Sequence, residues 1–143
     1  MFSKACEYAI RSSIFIASQS QEGRRVSLSD VSEKIESPEA FTSKILQKLV
    51  KEKIINSIKG PGGGFEIDPD GLSKINLLQI VHVMDGAVLS RCSLGLQECS
   101  DTYPCPFHHK YKPVKEELIH IYETTSLKDL MAGFKNGETF LKF

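Results

Sequence analysis

The stretch 37–65, SPEAFTSKILQKLVKEKIINSIKGPGGGF, decides how this chain folds. It opens on Ser37, Pro38 and Glu39: a capping hydroxyl, a proline suited to the first helical position, and an acid beside the positive end of the helix dipole. Phe41, Ile45, Leu46, Leu49 and Val50 follow at helical spacing, so a helix is predicted up to about residue 52. Thr42, Ser43, Lys44, Gln47, Lys48 and Lys51 are assigned to its other side. Residues 54–59 are rich in β-branched side chains, and residues 65–67 resume that character beyond Gly60, Pro61, Gly62, Gly63 and Gly64. Two short strands about a glycine-rich turn make a β-hairpin.

Upstream, residues 4–20 place Cys6, Ala9, Ile10, Ser13, Ile14 and Ala17 on one helical face. A polar loop, QEGRR, comes next. Ser27 with Asp30 then forms a capping-box start for a short helix that turns Leu28, Val31 and Ile35 inward. Two short helices joined tightly, the second basic on its outer side, have the organisation of a helix-turn-helix, and the hairpin that follows is placed as a wing. Downstream, residues 76–85 (NLLQIVHVMD) read as a helix, with His82 as a packing residue. Periodicity is lost over 86–112 and resumes from Val114 in a long helix carrying Leu118, Ile121 and Tyr122. Ser126 and Asp129 cap a last short helix through Leu127, Leu130, Met131 and Phe134. The expected fold is mainly α with a small β-hairpin. A winged helix-turn-helix domain occupies 1–74, and 75–143 holds a helix, the loop 86–112 and a long C-terminal helix.

With 143 residues, 41% hydrophobic and 25% charged, the chain has the composition of a small folded protein rather than a disordered one. No apolar run approaches the roughly 20 residues needed to span a bilayer, and the N-terminal segment lacks the apolar core of a signal peptide. A cytoplasmic location is expected, with no membrane partner. There, four cysteines are reduced, metal-binding or redox-active rather than paired in disulfides. Net charge is zero, yet residues 44–59 hold five lysines against one glutamate, enough for a local phosphate footprint.

A recognition helix meets base edges with its N-terminal turns, which here offer Glu39, Ala40, Thr42, Ser43, Lys44 and Gln47. Lys44, Lys48 and Lys51 form one stripe suited to phosphates. In the wing, Gly62 and Gly63 let the backbone approach DNA, and Lys59 stands at the base. A lysine stripe alone is most often a solvated face, and PGGG alone a surface turn; their order and spacing together favour double-stranded DNA. Nothing resembles a Ser-His-Asp or Cys-His catalytic set, and the glycine run lacks the Lys-Ser/Thr of a phosphate-binding loop, so no enzyme is expected.

Cys92, Cys99 and Cys105 with His108 give C-x6-C-x5-C-x2-H. Soft thiolates and an imidazole on one loop can converge on an iron–sulfur cluster or zinc. The wide gaps suit a cluster better than a single ion, whose structural sites use closer pairs. Unligated thiols, or a redox pair that closes a disulfide, remain open. Cys6 reads as a buried small hydrophobe, its neighbour Glu7 as an oxygen donor, and His120 as structural or solvated.

Taken together, EYAIR in the first helix, IKGPGGGF in the wing, LLQIVHVMDG and ECSDTYPCPFHHKYKPVKEEL resemble the IscR/NsrR family of bacterial winged-helix regulators over almost the whole chain. The resemblance implies a homodimer in which the helix from Val114 crosses its partner. It also implies a 2Fe–2S or 4Fe–4S cluster, 2Fe–2S preferred, on Cys92, Cys99 and Cys105. The fourth ligand would be His108, with Glu7 as the alternative. Two departures stand out: Ala40 and Lys44 occupy base-reading positions, implying a different operator, and the first cysteine gap is one residue longer. Dimer symmetry predicts a near-palindromic operator. The expected function is repression governed by cluster, redox or nitric oxide status. One rival is a cluster-free thiol or zinc regulator of the same fold; a remote one is a cluster carrier with no DNA role.

Overall fold

The computed structural model describes residues 1–86 and 88–141. The helix α1 (Lys4–Gln21) starts on Ser3, whose hydroxyl accepts from the Cys6 amide, and turns Cys6, Ala9, Ile16 and Ala17 into the interior. Behind it lie α2 (Leu28–Ile35) and α3 (Glu39–Lys51). The predicted capping box is present on α2: Ser27 accepts from the Asp30 amide while Asp30 accepts from the Ser27 amide. On α3 the capping expectation fails. Pro38 occupies the N-cap position, and Ser37 is buried with its hydroxyl unpartnered among the described residues. Glu36, at φ 54°, makes the left-handed step between the two helices.

The wing consists of β1 (Asn56–Ile58) and β2 (Gly64–Glu66), antiparallel with Ser57 opposite Phe65. Val26 extends this small sheet by exchanging both backbone hydrogen bonds with Phe65 (3.1 and 2.7 Å). The Ile67 amide donates to Ser20 Oγ at 2.9 Å, fastening the hairpin to α1.

A short α4 (Pro69–Lys74) comes next, which the periodicity did not reveal; its signal is Asp68 followed by proline at the first helical position. Then come α5 (Leu77–Asp85), α6 (His108–Thr124) and α7 (Leu127–Lys135). The starts of α5 and α7 both carry capping boxes, and they are stitched together where Leu77 N donates to Thr125 O and Leu127 N to Ile75 O. Leu127 and Met131 share the main core with Ile16, Ile35, Leu46, Leu49 and Ile80, so the core is continuous across residue 74. A second, smaller cluster around Cys6, Val81 and Leu89 joins α1, α5 and the start of the cysteine loop to Leu118 and Tyr122 of α6. His82, expected to pack, is exposed, as is His120.

The long helix begins six residues before the expected Val114, and the irregular loop ends at 107 rather than 112. Pro113 lies inside α6 and has no amide to donate, which imitates a helix start. The preceding turn nevertheless holds, because Tyr111 N donates to Phe107 O at 3.0 Å, the Phe107 and Tyr111 rings stack, and His108 anchors it from within.

Candidate nucleic-acid interface and cysteine loop

On α3, Glu39, Ala40, Lys44, Gln47, Lys48 and Lys51 are exposed. Ser43 is half-buried and accepts from Gln47 Nε2 at 3.2 Å. Thr42 leaves the candidate set. It falls on one stripe with Ile45, Leu46 and Leu49, is 0% exposed, and donates its hydroxyl to Pro38 O at 3.0 Å. A helix of 3.6 residues per turn puts position 42 directly above 45, 46 and 49, and the hydroxyl survives burial because the carbonyl satisfies it. Phe41, expected inside, lies at the surface edge-on to Tyr8, which in turn lies under Arg11.

At the wing tip, Gly63 N donates to Gly60 O across Pro61 and Gly62, the latter at φ 73°. Proline at the second position and a positive φ at the third define a type II turn. A Cβ on Gly63 would collide with the Ile58 and Gly60 carbonyl oxygens, so this backbone must pass bare. Lys59 is exposed at the end of β1. Sequence reasoning missed Arg25, which braces the wing: Nε donates to Glu66 at 2.7 Å and a guanidinium nitrogen to Gly62 O at 3.2 Å. The recognition helix also touches the root of the cysteine loop, where Lys48 Nζ lies 3.4 Å from Met84 O. One residue on, Asp85 accepts from the Ser3 amide at 2.8 Å.

Along the loop the four predicted donors stand as two touching pairs. The Cys92 and Cys105 thiols hydrogen-bond to each other, and Cys99 Sγ lies 3.5 Å from His108 Nδ1. Among the described residues no group of three or more His, Cys, Asp or Glu side chains is gathered as a metal site. The donor chemistry still fits an iron–sulfur group. Cys92 and His108 are buried, and the Leu94 amide points at Cys92 Sγ from 3.4 Å. That amide above all, with Leu96, Cys105 and buried Lys115 adding to it, draws the Cys92 thiol below its ordinary pKa against the effect of burial. A thiol so placed is readied to bind metal as thiolate. Cys6 is the opposite case: burial, with Asp85 adding to it, pushes its thiol up to about 12, in keeping with a packing role. Glu7 is exposed and paired with Lys4 at 2.9 Å.

Two further residues were invisible to spacing alone. Asp101 lies 2.9 Å from His108 Nε2, and Lys112 Nζ binds both Asp101 oxygens at 2.8 Å. Lys112 would have been legible as the i+4 neighbour of His108 had the helix been started there; Asp101 had no local signal.

The chain is 28% identical over 132 residues to the HTH-type transcriptional regulator IscR of Xenorhabdus nematophila, covering 92% of this chain and 77% of that one. Its counterpart in Photorhabdus laumondii is 27% identical over 125 residues, covering 87% and 74%. Among solved structures, CymR, the global cysteine regulator of B. subtilis, superposes with a TM-score of 0.77 over 92% of this chain and 96% of that one, at 19% identity. T. potens IscR does so with a TM-score of 0.72 over 97% and 91%, at 17% identity. These two share the fold. Residues 2–133 match the Rrf2 family, described as iron-dependent transcriptional regulators. The chain belongs to that family: it is a DNA-binding transcriptional regulator of the winged helix-turn-helix fold, and not an enzyme.

Proposed function

We propose that this chain is a homodimeric repressor that reads a near-palindromic operator with two copies of α3 and the wing, and senses its signal through an iron–sulfur cluster on Cys92, Cys99, Cys105 and His108. One observation carries the reading. All four donors lie on a single segment whose root, Met84, touches Lys48 of the recognition helix and whose far end is the first turn of α6. A donor set of thiolates and an imidazole favours 2Fe–2S over 4Fe–4S. When bound, the group would supply sensitivity to oxidation and nitric oxide.

The chain's own residues supply the rest. Glu39, Ala40, Ser43, Lys44 and Gln47 face base edges, while Lys48, Lys51 and Lys59 neutralise phosphates and Gly62 and Gly63 bring the wing backbone close. On α6, Val114 (64% exposed), Leu118 and Ile121 (47% exposed) form an apolar stripe suited to the same stripe of a second copy. Rearrangement of 86–107 would shift the balance between two spacings of the paired recognition helices.

The test is anaerobic isolation followed by a visible absorption spectrum and iron, sulfide and zinc analysis. Iron with equimolar sulfide and visible charge-transfer bands is expected; zinc without sulfide would contradict the cluster. The contact between Cys92 and Cys105 favours a second reading, in which these two thiols are themselves the redox sensor. Metal-free protein whose DNA binding responds to reversible oxidation of this pair would support that one.

A further inference from the structure

The two ring nitrogens of His108 are committed to different kinds of partner. Nε2 lies 2.9 Å from Asp101 Oδ1, and Nδ1 lies 3.5 Å from Cys99 Sγ. Both Asp101 oxygens bind the Lys112 ammonium at 2.8 Å, so this carboxylate is ionised and can only accept. The hydrogen must then be on Nε2. In the neutral ring the lone pair is left on Nδ1, on the side of the thiols. The ring itself is 2% exposed, whereas Asp101 is at the surface. Reversing the ring would break the bond to Asp101 and aim a protonated nitrogen at the sulfurs.

We infer that Asp101 is a positioning residue. It fixes the tautomer and orientation of His108 so that Nδ1 is the atom offered to iron, and Lys112 holds Asp101 in place. What Nδ1 is offered to rests on the cluster reading above; the tautomer does not. His108, Lys112 and Glu116 recur at intervals of four along α6, so they share a face, and Glu116 lies 3.7 Å from the Lys112 ammonium. Loop residue Asp101 is thereby pinned to the first turns of α6, beside the ring it orients. Carboxylates that accept from the far nitrogen of a ligating histidine set its tautomer and raise its basicity, and losing one weakens metal binding about 10- to 100-fold.

The test begins on metal-free, full-length protein labelled with 15N-histidine. Long-range 1H–15N correlation is expected to show His108 protonated at Nε2 and bare at Nδ1. Asp101→Ala should give a mixture of tautomers, and Lys112→Ala a smaller change in the same direction, both with unchanged circular dichroism. In anaerobically loaded protein, histidine labelled at δ1 alone should show the strong nitrogen hyperfine coupling in the reduced state. Asp101→Ala should release its iron to a chelator about 10-fold more readily. A wild-type ring protonated at Nδ1, or an Asp101→Ala chain with unchanged tautomer and unchanged iron retention, would overturn the assignment. Wild-type protein that takes up neither iron nor sulfide would overturn the cluster reading and the ligand role of Nδ1 with it. The metal-free measurement isolates a failure of Asp101 alone.

Discussion

Thr42 and Lys44, two residues apart on α3, have opposite fates. The threonine hydroxyl is satisfied inside the protein by Pro38 O, while the lysine stands in solvent on the face assigned to DNA. Thr42→Val should therefore leave duplex affinity within about twofold, since its hydroxyl reaches no base. Lys44→Ala and Lys48→Ala should each flatten the slope of log affinity against log salt by about 0.9, the signature of one lost phosphate contact. A titration across a salt series separates these outcomes, and an unchanged slope for both lysine variants would remove them from the interface. Asp30 gives a pH-dependent counterpart. Its hydrogen bonds from Ser27, the backbone amide foremost, hold its carboxyl below the usual 3.8. A depressed carboxylate stabilises the fold above its unfolded pKa, and that contribution is lost as pH falls through the folded value. Denaturant midpoints should fall below about pH 3.8 in the wild type and less steeply in Asp30→Asn. Ser27→Ala, which removes the cap itself, should cost about 1 kcal/mol at neutral pH.

Among the elements, the wing offers the cleanest separation of binding from folding. Gly63→Ala forces a Cβ onto the Ile58 and Gly60 carbonyls and should distort the turn. The turn is exposed and remote from Leu46 and Leu49, so melting temperature should fall by only a few degrees while duplex affinity drops about tenfold or more. Equal losses in both would mean that the wing is part of the folding unit. The same scale shows what was legible in the sequence. The helix-turn-helix and wing were readable because capping boxes, apolar stripes and a proline–glycine turn are local signals. The start of α6 was not, because Pro113 looks like a boundary and only the burial of His108 and the Phe107–Tyr111 stack reveal the turn before it. α4 was missed because six residues are too few to show a period. Of the candidate site, the four donors were visible from residue type. Their pairing was not, since it depends on Asp101 and Lys112, which the loop brings together.

Across the whole molecule, α6 decides whether two recognition helices act together. Val114→Glu with Ile121→Glu places charge on the exposed apolar stripe without touching the core, so the folded chain should sediment as a monomer and bind duplex far more weakly. A variant that remains dimeric would move the interface elsewhere. The most direct test of the central claim is the stoichiometry and salt dependence of binding to a duplex selected from a random pool by the anaerobically isolated protein. Two chains per near-palindromic duplex are predicted, with affinity falling steeply as salt rises and binding abolished in Lys44→Glu with Lys48→Glu. One chain per duplex, or undiminished binding by the doubly substituted protein, would contradict the account.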